Sequence, residues 1–213
     1  MRVILVNGSP HKNGNTQKAL EEFQKFIKDE GIDSEIFWIG TKIASGCMGC
    51  YKCAEKGECI FDDRVNEFAQ TAKDADAFVF GTAVHCASMT GNLTSFMDRF
   101  FYSTALAGHT DYYVHKPAAA IVTARRGGTT TTFDQLNRYF ALNQMPIITS
   151  RYWNMVHGDS GNPENIYEDE EGIQIIIILS KNMAYHLKCI EAGKEKGIMP
   201  PKPEDAIYTN FIR

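Results

Sequence analysis

The chain lacks a basic block. Its 22 lysines and arginines are outnumbered by 26 aspartates and glutamates, and the net charge of -4 is spread along all 213 residues. No nucleic-acid partner is expected, because neutralising a phosphate backbone takes clustered cations. Long apolar runs are absent too. The longest aliphatic stretch, residues 175–179, is far too short to cross a bilayer, so no membrane partner is expected either. Nothing at the start reads as a signal peptide, since Met1 and Arg2 run straight into a strand-like segment and Gly8-Ser9-Pro10. The expected location is cytoplasmic. In that compartment six cysteines suit metal binding or redox chemistry better than structural disulfides. Internal repeats and low-complexity segments are also missing.

What is present is ordinary globular composition, 44% hydrophobic and 23% charged, with length enough for one core. Strand and helix patterns alternate without a clear linker. Val3-Ile4-Leu5-Val6 is a short continuous apolar run, as in a strand buried on both faces. Leu20, Phe23 and Ile27 then fall at helical spacing up to Gly31. Residues 35–39 read as a second strand, 77–80 as a third and 118–122 as a fourth, and Pro146-Ile147-Ile148 as the start of a fifth. Asp62 and Asp63 offer caps for a helix through Val65, Phe68 and Ala72. Thr90 opens a helix with Leu93, Phe96, Met97 and Phe100 on one face. Thr132 and Gln135 read as the capping box of a helix through Phe133, Leu136 and Phe140. Ile176, Leu179, Met183, Leu187 and Ile190 mark a last helix up to Gly193, entered through the acidic run Glu168-Asp169-Glu170-Glu171. The pattern predicts an α/β fold: a doubly wound, five-stranded parallel sheet, order 2-1-3-4-5, with helices on both faces in three layers. One domain is expected over residues 1–198, with a cysteine-rich loop, 46–60, inserted. An extended arm with three prolines, 199–213, follows.

The first turn of this pattern, Gly8-Ser9-Pro10-His11-Lys12-Asn13-Gly14-Asn15-Thr16, joins a strand to a helix start. First-turn N–H groups lack partners within a helix, and the helix dipole favours an anion there. Ser9, Asn15 and Thr16 add side-chain donors, and Gly14 lets the backbone come close. The spacing is neither G-x-G-x-x-G nor G-x4-G-K-[ST], which favours the lone phosphate of a mononucleotide over a dinucleotide or a nucleoside triphosphate. The alternative is a loop that merely turns and caps a helix. Ligands of open α/β sheets lie beyond the carboxyl ends of neighbouring strands. Two further turns should therefore share the site: Gly81-Thr82-Ala83-Val84-His85-Cys86-Ala87-Ser88-Met89-Thr90-Gly91 and Thr123-Ala124-Arg125-Arg126-Gly127-Gly128-Thr129.

Cys47, Cys50, Cys53 and Cys59 form C-x2-C-x2-C-x5-C. Thiolates at such intervals hold iron–sulfur clusters, and Gly46, Gly49 and Gly57 supply the needed backbone freedom. The fourth gap is longer than in the bacterial ferredoxin run, and Ile60 stands where that run has proline. A structural zinc and a metal-free, redox-sensitive loop are the other readings.

G-S-P-x3-G-N-T after the first strand, followed by G-T-A-V-H-C-A-S-M-T-G-N-L-T-S-F-M-D-R at residues 81–99, resembles the NADPH-dependent FMN reductase superfamily. With the cysteine motif between them, the chain is similar to its iron–sulfur flavoprotein branch. The resemblance covers residues 1–145. It implies a flavodoxin-like fold and FMN, with Ser9, His11, Asn13, Asn15 and Thr16 around the phosphate. Residues 82–89 and 125–128 would face the flavin ring. Where the family often reads S-P-x-Y, this chain has Thr82-Ala83-Val84-His85. The activity implied is an NAD(P)H-dependent oxidoreductase with a small-molecule or protein electron acceptor (flavin, quinone, azo or nitro compound, or redox protein). A homodimer or homotetramer is implied as well. An electron carrier with one [4Fe-4S] cluster on Cys47, Cys50, Cys53 and Cys59, and a zinc-stabilised FMN module, are the alternatives.

Four other readings complete the expectations. Cys86 is a redox group or a small packing residue, and His85 a substrate-positioning or a structural histidine. Cys189 belongs to the core, and Asp98 and Arg99 form a surface pair. Residues 102–116 and 153–171 are aromatic-rich loops anchored by Tyr112, Tyr113 and Trp153.

Overall fold

A computed structural model describes all residues except 44, 160, 203, 205, 212 and 213. Five strands, β1 (Arg2–Asn7), β2 (Asp33–Trp38), β3 (Ala77–Ala83), β4 (Ala118–Ala124) and β5 (Met155–His157), form one sheet in the order β2-β1-β3-β4-β5. Every pairing is parallel. The fold is flavodoxin-like. Because the sheet is covered on both faces, its central strands are apolar throughout rather than alternating. Ile4, Val6, Phe78, Phe80, Ala120 and Val122 pack under α3 (Arg64–Lys73), α4 (Gly91–Leu106) and α5 (Thr129–Leu142). Val3, Leu5, Val79 and Ile121 pack under α1 (Asn15–Asp29) and α6 (Glu170–Glu195). A four-residue helix, α2 (Cys53–Lys56), lies in the cysteine loop.

The hydrophobic spacing of the sequence marks the buried helix faces correctly. Phe68 of α3 meets Phe37, Phe78, Phe80, Phe96 and Phe100 at centroid distances of 4.7 to 6.2 Å. Asp63 caps α3 by accepting from Val65 N, and Thr90 caps α4 by accepting from Leu93 N. The acidic run opens α6 as anticipated: Asp169 accepts from Gly172 N, with Glu170 and Glu171 in the first turn.

Several details differ from expectation. The fifth strand starts as a single bridge, Ala118 to Ile147, and then leaves the sheet; its ladder proper is residues 155–157. The buried Asn154 closes the intervening loop by accepting from Ser150 N, and its own carbonyl accepts from Val122 N. α5 begins at Thr129, one turn before the anticipated capping box. Thr132 therefore sits inside the helix and donates back to Gly128 O. α6 runs through Gly193 to Glu195, and Cys189 is exposed because the buried stripe at Ile176, Leu179, Met183 and Leu187 leaves position 189 on the solvent side. α4 continues to Leu106, and Tyr113 is a core residue, 5.1 Å from the Phe101 ring. Trp153 is half-exposed against Tyr152. The described residues from 199 to 211 are all exposed. Among the described residues no helix is long and apolar enough to cross a membrane.

Candidate functional site

The order of strands reverses between β1 and β3, and an open cleft of about 700 Å³ lies beyond the carboxyl ends of β1, β3 and β4. The loop after β1 is shaped by Asn7, a polar residue ending an otherwise apolar strand. Its Nδ2 donates to Gln17 Oε1 at 2.8 Å and to Lys12 O, while its Oδ1 accepts from Ser9 N. Ser9 Oγ accepts from His11 N, and Trp38 Nε1 donates to Ser9 O. The loop delivers Ser9, His11, Gly14, Asn15 and Thr16 to the cleft. Asn13, also expected there, is exposed on the outside of the turn.

α1 starts at Gly14 with no side-chain cap and no acidic residue in its first turn. α5, at the same end of the sheet, likewise starts at a glycine without a side-chain cap. α3, α4 and α6 all carry side-chain caps. Of the two uncapped helices, α1 brings its open N-terminus, Gly14, Asn15 and Thr16, into the cleft lining, and open N-termini attract anions. His11, His85 and Arg125 line the cleft, and among the described residues no carboxylate side chain does. Asn15 Nδ2 donates to Asp159 O, leaving Asn15 Oδ1 buried without a partner among the described residues.

The second wall is the turn after β3. His85 and Ser88 exchange backbone hydrogen bonds of 2.8 and 3.0 Å around Cys86 and Ala87, which have φ of 51° and 56°. Two consecutive non-glycine residues with left-handed backbone cost roughly 1–2 kcal/mol each. Gln135 of α5 holds the strained turn: its Oε1 accepts from Ser88 Oγ and Met89 N. That is what the presumed capping-box glutamine does instead. Ala83, Val84 and His85 line the cleft, and Cys86 is exposed at the tip rather than packed. Thr82 and Met89 are buried beneath, with Thr82 Oγ1 accepting from Thr90 N. Arg125 reaches the cleft, whereas Arg126, Gly127 and Gly128 carry the chain over to α5. Thr123 and Ala124 of the third turn also line the cleft, and sequence reasoning missed Gly158. Gly158 follows the short β5, whose register the sequence did not reveal.

The cysteine loop forms a second site. Cys47, Cys50, Cys53 and Cys59 all line one small cavity. Positive φ at Gly49, Tyr51 and Gly57 folds the loop around it. Burial pushes the Cys53 thiol pKa up, and the neighbouring Cys50, Cys59 and Cys47 add to the rise, so the four sulfurs feel one another. All six cysteines are free of disulfides. Among the described residues no three His, Cys, Asp or Glu side chains are grouped to hold one metal ion.

Arg99 overturns its reading as half of a surface pair. It is 1% exposed and closes the inner wall of the cysteine cavity. Nη1 and Nη2 donate to the two Asp63 oxygens at 2.6 and 3.0 Å. Nε and Nη2 donate to Cys59 Sγ at 3.3 and 3.2 Å, and Nη2 also to Phe61 O. Burial works against the charged guanidinium, but the bonds to Asp63 and Cys59 outweigh it and hold its pKa above the ordinary value. Asp98 instead accepts from the Tyr139 hydroxyl; burial first, then Asp98, raises that tyrosine's pKa.

Residues 1–160 match the sequence pattern of the family described as NADPH-dependent FMN reductase, and the chain belongs to that family. An iron–sulfur flavoprotein of Methanocaldococcus jannaschii is 28% identical over 201 residues, covering 90% of this chain and 100% of that protein. Two solved structures share the fold. RosB with a bound intermediate has a TM-score of 0.65 at 14% identity, covering 100% of this chain and 92% of its own. An apo NADH:FMN oxidoreductase has a TM-score of 0.59 at 15% identity, covering 89% of each chain.

Proposed function

We propose that the chain binds FMN in the cleft and acts as an NAD(P)H-dependent oxidoreductase in the cytoplasm, reducing a small molecule or a redox protein. The observation that carries this reading is the cleft at the switch point of the sheet. There α1 begins without a side-chain cap, and among the described residues the lining holds His11, His85 and Arg125 and no carboxylate. Ser9, His11, Gly14, Asn15 and Thr16 would bind the phosphate end, and Asn15 Oδ1 is an acceptor open to a ribityl hydroxyl. Residues 82–89 and 125–128 would flank the ring. Bound FMN supplies the redox chemistry, taking electrons in pairs and releasing them singly or in pairs, so the protein need only bind, orient and shield it. The strained turn held by Gln135 suits that orienting role.

A second reading rests on the four cysteines around one cavity: a [4Fe-4S] cluster on Cys47, Cys50, Cys53 and Cys59 that makes the chain an electron carrier for ferredoxin-like partners. The donor set is all sulfur, the ligand type that iron–sulfur clusters take. α4 connects the two sites. Its cap Thr90 donates to Gly8 O beside the cleft, and Arg99 lies about 14 Å along the helix at 1.5 Å per residue. Met48, Tyr51, Tyr102 and Leu142 are exposed around the cysteine loop, which suits a homodimer or homotetramer.

Anaerobic oxidation of NADH and of NADPH by the FMN-loaded protein, with a flavin or quinone acceptor, tests the reductase reading. Sustained turnover with at least one nucleotide is expected. No turnover with either, alongside rapid reduction by reduced ferredoxin, would replace the reductase by the carrier.

A further inference from the structure

Arg99 is a buried cation with more bonds than its carboxylate partner requires. We propose that Arg99 is the positioning residue of the cysteine site: it fixes Cys59 for ligation and offsets the negative charge of the cluster held there. The inference rests on the iron–sulfur reading.

Three observations carry it. First, Asp63 already neutralises Arg99, yet the guanidinium is set so that Nε and Nη2 both reach Cys59 Sγ. A lysine, one point charge on a flexible stem, could not hold a carboxylate and a sulfur at once in this fixed fork. Second, the four cysteines are not equally held. Cys47 is exposed, Cys50 and Cys59 are half-buried and Cys53 is buried, and Cys59 lies beyond the Gly57 turn, separated from Cys53 by the long gap. Its backbone carbonyl accepts from Asn66 Nδ2 at 2.9 Å and its sulfur from Arg99, so α3 and α4 together seat it before any iron arrives. Third, the nearby cations Lys56 and Arg64 are largely exposed and paired with Glu58 and Glu67. The buried charge beside the sulfurs is Arg99, and hydrogen bonds to sulfur together with local charge are what set cluster potentials.

Wild type, Arg99→Lys and Arg99→Gln, each reconstituted anaerobically with iron and sulfide, separate this role from a merely structural one. The readouts are iron content, cluster midpoint potential, and the rate of iron loss to a chelator; far-ultraviolet circular dichroism and FMN content report folding. The expectation for Arg99→Gln is a more negative potential and iron loss about ten times faster than wild type or more. Arg99→Lys should keep a potential nearer to wild type, because the charge remains, yet still lose iron faster, because the fork is gone. If Arg99→Gln does not fold, faster iron loss from Arg99→Lys carries the inference and an unchanged rate overturns it. Folded variants with wild-type potential and wild-type iron retention would reduce Arg99 to a tie between α3 and α4. A wild-type protein that takes up no iron would overturn the cluster reading and this inference with it, while leaving FMN binding standing.

Discussion

Gly128 sits where a side chain has no room and the backbone no alternative. Its φ is +97°, and an added Cβ would lie 2.9 Å from Ala87 Cα and from Val84 Cγ1. The third loop thus touches the strained second one backbone to backbone. Gly128→Ala should lower stability by about 2–3 kcal/mol and weaken FMN binding, by steric contact and backbone strain together. Its neighbour is the control: at Gly127 a Cβ meets nothing within 4 Å, so Gly127→Ala should be nearly neutral in the same urea titration. Equal losses for the two would show that the loop is not packed as described. Arg99 makes the complementary point about what a sequence hides at this scale. Its partner Asp63 is 36 positions away, so neither the spacing nor the polarity of residues 98 and 99 distinguishes a buried ion pair from a solvated one. Asn7 escaped the sequence reading as well, although a polar residue closing an apolar strand has to bond something.

α3 and α4 are joined through that same ion pair. Asp63 both caps α3 and holds the guanidinium projecting from α4, at 14% and 1% side-chain exposure. Asp63→Ala should cost about 3–5 kcal/mol in metal-free protein, well above the roughly 1 kcal/mol of a lost cap, because it strands a buried charge. Asp62→Ala, at an exposed position, should stay within about 0.5 kcal/mol by urea denaturation. Comparable losses at the two positions would argue that Arg99 is satisfied without Asp63. At this scale the sequence is most legible where burial alone decides, as in the apolar β1 and the helix face of Leu93, Phe96, Met97 and Phe100. It misleads where a tertiary partner competes for a local motif. Thr132 and Gln135 have capping-box spacing, but the left-handed turn at Gly128 starts α5 earlier, and Gln135 is drawn to Ser88 and Met89 instead. β5 escapes for a similar reason: a three-residue strand carries too little pattern of its own, and β4 fixes its place.

For the whole molecule, the order of motifs along the chain maps onto α4, with the cleft near its start and Arg99 of the cysteine cavity about two and a half turns on. The core needs α6, whose Ile176, Leu179, Met183 and Leu187 cover one sheet face, but every described residue beyond Ile198 is exposed. Removing residues 199–213 should therefore leave urea stability within about 0.5 kcal/mol and FMN content unchanged. A marked loss of either would place the arm within the folded unit. The proposed FMN cleft and thiolate cavity would give one α/β domain two cofactor sites. The flavin, iron and sulfide content of protein prepared without oxygen, read with its absorption spectrum, tests both. Near-stoichiometric FMN with about four irons and four sulfides per chain is expected. FMN without iron or sulfide, even after anaerobic reconstitution, would contradict the second site, and absence of FMN would contradict the first.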